Sequence, residues 1–355
     1  MNLLDKFISL IFVGVFIFSV LFVYAEEKTL SLGEVIITPG RTIVDRTVSE
    51  MDLTSSEIDD FPLIDNDILR AVQAFPGVVG NDFSARFNAR GGEKDETLII
   101  LDGMELYQPY HLQDFGGAIS IIDLLAVSNA QLLPGGFPAE YGDKLSAVLD
   151  IKSVNLRKEL EFNGGIDLLN THLMLNKKPF FISARRGYID LLMGMIETEE
   201  DFEPRYFDIF AKGIYPISTR NKITANLLYA GDTNMINQEG IEDDLESEYN
   251  NGIAWTKWRS NINDNLSSDF YLFGGYADEQ KKEGDDGNDN REISYLGAKT
   301  VATAILGTHT VKTGIEWRNM KGEYYYKENV TEETELPIVV DTKLSGYELK
   351  GFVSD

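Results

Sequence analysis

The sequence predicts an α+β domain followed by an antiparallel transmembrane β-barrel, of which about ten strands are present. Three observations predict it. A charge-free stretch opens the chain, a glycine-punctuated mixed region runs to residue 153, and beyond it strands are joined by connections that alternate between short and long. The composition agrees: 43% of the 355 residues are hydrophobic, too many for a disordered chain, and 31 Gly, 16 Tyr and 20 Phe favour strands and turns. Cys is 0, which removes disulfide scaffolds, cysteine–zinc sites and thiol catalysis together. Asp and Glu number 58 against 32 Lys and Arg, a net charge of −26, which speaks against nucleic acid as a partner because phosphate contacts need a basic face.

Residues 7–25 carry no charge, follow Lys6 and end on Val23-Tyr24-Ala25, the pattern of a cleaved secretory signal over residues 1–25. The same run nearly suffices to span a bilayer, so an uncleaved anchor is the alternative; either way the remainder is exported. Between 33 and 153, a helix is predicted to start at Asp65 or Asn66 as N-cap, to carry Ile68, Leu69 and Val72 on one side, and to stop at Pro76-Gly77. Strands are predicted at 97–101 and 147–151.

After Val154 the helix signal disappears. In 311–317, Val311, Thr313, Ile315 and Trp317 share one face, opposite Lys312, Gly314 and Glu316; in 207–212, Asp208 and Lys212 oppose Phe207, Ile209 and Ala211. A soluble sandwich would alternate in the same way. Connection lengths discriminate. Short ones fall at 177–179, 218–221, 261–265 and 307–309, and long polar ones at 194–204, 231–250, 278–292 and 327–343. Strict alternation is what an up-and-down barrel produces, with tight turns at one rim and long loops at the other. The four long segments hold 24 acidic residues against Lys281, Lys282, Arg291, Lys327 and Lys343, which predicts an acidic outer surface. Such a surface would attract the divalent cations that bridge lipopolysaccharide, or a cationic ligand. Tyr229, Tyr276 and Tyr324 to Tyr326 fall near strand ends, where an aromatic girdle would sit.

Several pieces of the first domain, in order, resemble the plug domain of TonB-dependent outer-membrane receptors. They are GEVIITPGR at 33–41, FPGVVG at 75–80, ARGG at 89–92, LIILDGMELY at 98–107 and AQLLPGGFPAEYGDKLSAVLDIKS at 130–153. Pro134 and the ending SAVLDI depart from the commoner pattern, which obscures the subfamily and so the substrate. The resemblance implies a signal over 1–25, a periplasmic segment with a TonB box over 26–41, a plug over 42–153, and the amino-terminal part of a transmembrane barrel over 154–355. It implies TonB as partner, a scarce nutrient as ligand (siderophore, cobalamin, oligosaccharide or peptide), outer-membrane lipid around the barrel, and no enzyme or cofactor. Glu34, Val35, Ile36, Ile37 and Thr38 would be the TonB box, since strand addition needs an extended, β-branched, unpaired segment, here kept apart by Gly33 and Pro39-Gly40. An ordinary edge strand would read the same way.

The resemblance also places substrate contacts on outward plug loops: Asp82 and Arg86 in one, Tyr107, Tyr110, His111 and Asp114 in the next. Arg90 and Glu140 are candidates for ion pairs from plug to barrel wall. Asp102-Gly103 reads as a tight turn. No metal site is predicted, because His111, His172 and His309 have no ligand spacing and the acidic run at 283–290 lacks a calcium-loop register. No hydrolase or phosphate-binding motif appears. A plug of this size needs about 22 strands around it, so the chain reads as the amino-terminal portion of a longer receptor. An exported binding protein without transport, or a truncated receptor without function, would share these features.

Overall fold

The computed structural model describes residues 51–54, 57–58, 67–81, 83–193, 200–238, 245–284, 287–328 and 338–355. The predicted signal, the strand Glu34 to Thr38 and Asp82 lie outside the described residues. An inner domain comes first. β1 (Met51–Thr54) precedes helix α1 (Ile68–Ala71) and a 3-10 turn (Val72–Ala74); β2 (Val78–Gly80) and β3 (Phe87–Ala89) form a hairpin. β4 (Thr97–Leu101), β5 (Met104–Glu105), β6 (Tyr110–His111), β7 (Ile119–Ser120), β8 (Val127–Leu133) and β9 (Ala147–Ser153) follow. One mixed sheet, ordered β1-β8-β9-β4-β5, carries the domain; β4 and β9 run parallel and the other pairs antiparallel.

The helix differs from its prediction in start and length. Its N-cap is Asp67, whose Oδ1 accepts from the amides of Leu69 (2.7 Å) and Arg70 (3.2 Å) while Oδ2 accepts from Ser120 (2.5 Å). Among neighbouring Asp and Asn residues that all suit a cap, the one that also reaches β7 takes the position, a choice local sequence does not contain. Ile68, Leu69, Ala71 and Val72 then pack into the core with no exposed surface.

The wall follows: β10 (Glu161–Ile166), β11 (Asn170–Lys177), β12 (Phe180–Gly187), α2 (Ile189–Met193), β13 (Glu200–Phe202), β14 (Arg205–Pro216), β15 (Asn221–Gln238), β16 (Leu245–Asn263), β17 (Leu266–Glu283), β18 (Gly287–Leu306), β19 (His309–Glu328) and β20 (Ile338–Ser354). Each strand pairs antiparallel with the next, except that β12 pairs β14 and β13 pairs β15. The tight turns fall where predicted, at 178–179, 217–220, 264–265 and 307–308.

Among the described residues, the predicted long loops at 231–250 and 278–292 are mostly strand. β15 runs to Gln238, β16 starts at Leu245, and Asp278 to Glu283 still belong to β17. Polarity was the signal read as loop, yet an antiparallel ladder pairs its own backbone whatever its side chains. Strands can therefore continue beyond an apolar zone with polar residues on both faces.

The alternation is inverted relative to a soluble sheet. On β17, Tyr271 and Phe273 are buried against the inner domain while Phe270 and Leu272 are exposed; on β14, Asp208 and Phe210 are buried and Phe207 is exposed. The face shared by Asp208 and Lys212 is thus the inner one. The outward row of Phe207, Tyr229 and Tyr276 forms a ladder of ring contacts at 5.5 and 6.4 Å. From the register position of Tyr276 at Gly252 down to exposed Ile262, β16 covers about 34 Å of strand, or about 25 Å of height at the usual barrel tilt, the thickness of a lipid-facing band. Trp258, Leu272, Leu296, Ile315 and Trp317 fill that band. The Tyr324 to Tyr326 run does not join the girdle: Tyr325 lies beyond it in register, and Tyr324 and Tyr326 stack on each other from the opposite face.

Candidate functional site

The inner domain and the wall share one core, in which Leu101, Ile121 and Leu149 pack with Phe181, Phe210, Trp255 and Phe273. Around that core the inner domain holds the wall through charges at different heights. Near the tight-turn rim, Asp102 stands at φ +49 and pairs with Lys212 Nζ (3.2 Å), while the Ser153 hydroxyl also donates to it. Burial acts to raise the Asp102 carboxyl, but Lys212 and the Ser153 hydrogen bonds outweigh it and hold it below the usual 3.8. Next to it, Gly103 sits at φ +92, and a Cβ there would come within 2.7 Å of the Tyr271 hydroxyl on β17. There too Glu140 pairs with Lys312 and Asp143 with Lys350 (2.5 Å), while Glu105 pairs with Arg318 (3.0 Å) midway along β19.

Toward the opposite rim, residues 107–117 form a compact loop. Leu112 adopts the left-handed conformation (φ +55), a 3-10 turn covers Gln113–Phe115, and Gly116 and Gly117 follow at φ +75 and +70. Gly117 suits its left-handed backbone, where any other side chain is strained and a Cβ would also press on Arg86 Nε at 2.7 Å. The Arg86 guanidinium lies over the Tyr110 ring at 5.1 Å. Burial pushes the Tyr110 hydroxyl up to about 12, against the opposing pull of Arg86.

Two side chains hook this loop to the wall. Fully buried His111 sets Nδ1 on Asp232 of β15 and Nε2 on Asp208 of β14 (3.2 Å), and the Leu112 amide donates to Asp232 Oδ2 (2.6 Å). Asp208 also accepts from Arg185 Nε on β12 (2.8 Å), and Arg185 reaches back to the carbonyl of Ser120. Asp114 is the second hook. It accepts from the Tyr249 hydroxyl (2.5 Å), from the Ser247 hydroxyl and from Asn234 Nδ2 (3.0 Å), and it pairs with Lys281 (3.1 Å). One carboxylate thereby gathers β15, β16 and β17. Beside the hooks an open cleft of about 470 Å³, counting its mouth, lies between Tyr107, Gln108 and Gln113 on one side and Tyr249, Glu279 and Arg291 on the other. Among the described residues no group of His, Asp and Glu is arranged to hold a metal ion.

A buried domain hooked to one face of an open antiparallel wall whose other face is apolar has the arrangement of a plug against part of a barrel. The family model for the TonB-dependent Receptor Plug Domain matches residues 42–148. The chain carries a TonB-dependent receptor plug. No curated protein sequence matches the chain. Solved structures do. The outer membrane transporter YddB from Escherichia coli superposes with a TM-score of 0.60 at 12% identity, over 85% of this chain and 52% of that one. The ferric yersiniabactin uptake receptor FyuA from Yersinia pestis gives 0.58 at 12% identity, over 86% and 61%. The ferric enterobactin receptor PfeA from Pseudomonas aeruginosa gives 0.58 at 15%, over 78% and 50%. The fold is therefore the plug-and-barrel fold of this family, and the chain spans about half the length of the structures it matches.

Of the residues singled out in the sequence, Arg86, Tyr107, Tyr110, His111 and Asp114 gather at the end of the plug away from the tight turns. Glu140 reaches the wall at Lys312. Arg90 does not do so among the described ion pairs: its backbone is left-handed (φ +50), its amide donates to Gly77, and its guanidinium lies against Gly135 of the plug. The sequence reading missed Asp102, Glu105 and Asp143 on the plug and every wall partner. One signal was present. Asp208 and Lys212 share a strand face opposite Phe207 and Ile209, and in a barrel whose apolar face meets lipid, such a polar face needs partners inside.

Proposed function

We propose that this chain is part of a TonB-dependent transporter that carries a scarce nutrient across the bacterial outer membrane. The observation that carries the reading is the outward plug loop, hooked by His111 and Asp114 to the inner face of a wall whose outer face is apolar. A pore closed in this way and set in lipid has work to do only if the plug can be shifted. In this reading residues 1–25 export the chain, 26–41 lie in the periplasm, 42–153 form the plug and 154–355 contribute barrel, with lipopolysaccharide at the outer rim. Substrate meets Asp82, Arg86, Tyr107, Tyr110, His111 and Asp114. TonB takes Glu34 to Thr38 as an added strand and pulls with inner-membrane energy. No covalent chemistry is required. Two of the three similar structures are named for ferric chelates, which supports a ferric siderophore as one candidate beside cobalamin, an oligosaccharide or a peptide.

Deleting residues 34–38 tests the role. Cells producing that variant should bind radiolabelled substrate at the surface yet fail to accumulate it, and undiminished uptake would overturn the proposal.

A further inference from the structure

Both ring nitrogens of His111 face carboxylate oxygens: Nδ1 meets Asp232 Oδ1 and Nε2 meets Asp208 Oδ2. A neutral imidazole has one N–H, so it can donate to only one of them and would present a lone pair to the other. The surroundings sharpen the point. β12 contributes Arg185, β14 contributes Asp208 and the Tyr206 ring (4.8 Å from the imidazole), β15 contributes Asp232, and β11 contributes His172 farther off, itself 3.3 Å from Asp167. From the plug come Asp67, bound to the Ser120 amide, and Asp123, which caps the turn Leu124–Ala126 and whose Oδ2 has no partner among the described residues. Burial raises the Asp123 carboxyl above the usual 3.8, against the pull of Arg185. Two wall carboxylates against one arginine leave one negative charge over, and His111 is the group placed to neutralise it. Without that proton an unpaired charge is stranded in a buried site, which is strongly destabilising.

We propose that a proton on His111 is a latch that holds the outward plug loop against the barrel wall, and that its loss frees residues 107–117. The latch deepens the transport reading, because His111 and Asp232 also border the cleft. Burial pulls the imidazole below its ordinary 6.5, but Asp232 and Asp208 outweigh that pull and raise it to about 9. A raised value means that the stabilisation is complete below 6.5 and is lost as pH rises through about 9.

The absence of native cysteine allows a single nitroxide label at Gln113→Cys, with loop mobility read by electron paramagnetic resonance on the full chain in bilayers from pH 6 to 10. The deprotonated share rises from about 1% at pH 7 to about 90% at pH 10, so the label should pass from immobile to mobile with a midpoint near 9. His111→Gln should be mobile throughout. Should that variant fail to fold, Asp232→Asn decides: it should leave the loop docked at pH 6 and move the midpoint down by more than about one unit. A label with no transition across this range, or a midpoint that Asp232→Asn leaves in place, overturns the latch. Loss of uptake with the transition intact bears on the transport reading alone.

Discussion

Asp114, the one carboxylate of loop 107–117, meets four wall residues: Asn234, Ser247, Tyr249 and Lys281. Burial acts to raise its pKa, but the bonds from Ser247, Tyr249, Lys281 and Asn234 outweigh that and keep it below 3.8. A depressed carboxylate contributes stability above its ordinary value and loses it as pH falls through the lowered one. Asp114→Asn keeps the shape but removes the charged acceptor, and should cost about 1–3 kcal/mol, seen as a lower temperature for heat-modifiable gel migration. The same variant should flatten the loss of stability of the unaltered chain below pH 3.8, and an unchanged acid profile would count against this assignment. His111 and Asp114 were legible as candidates because an imidazole, tyrosines and a carboxylate crowd a glycine-flanked loop. Their partners were not: Asp232 and Tyr249 stand 121 and 135 positions away, and no local pattern encodes such a pairing.

Strand faces decide which substitutions the wall tolerates. Leu272 and Gln280 point the same way on β17, one inside the apolar band and the other beyond the Tyr276 row. Leu272→Arg should cost about 2–4 kcal/mol, whereas Gln280→Arg should fall near 0–1. Folding into vesicles, followed by gel migration and urea titration, measures both, and equal effects would place the lipid boundary elsewhere. The turns and the strand alternation were readable because tight connections and period-2 patterning are local properties. Strand lengths were not, since β15 to β19 run 18 to 20 residues and continue through acidic stretches that read as loop. Some of those acids are consumed inside the wall: Asp232 meets His111, and Glu279 meets Lys281 at 3.1 Å.

For the molecule as a whole, the three tryptophans report which side of the wall faces lipid. Trp255 is buried against Phe210, with ring centroids 6.3 Å apart, while Trp258 and Trp317 are 48% and 44% exposed on the outer face. Brominated lipid should quench Trp258 and Trp317 and spare Trp255. A variant with Phe at 258 and 317 should therefore lose most of its quenching; retained quenching would invert the wall. The hooks lie at different heights, Asp102, Glu140 and Asp143 toward one rim and His111 and Asp114 toward the other, with Glu105 on Arg318 between them.

The sequence by itself determined the order of the two domains, the resemblance to plug domains, the positions of the turns and the crowding of polar groups at 107–114, because motifs, period-2 patterning and turn chemistry act over a few residues. Only the tertiary structure decided which strand face meets the plug, which aspartate caps α1, and that His111 stands between two carboxylates. Those outcomes depend on charges brought together from distant strands, where the cost of leaving a buried charge unpaired selects one arrangement.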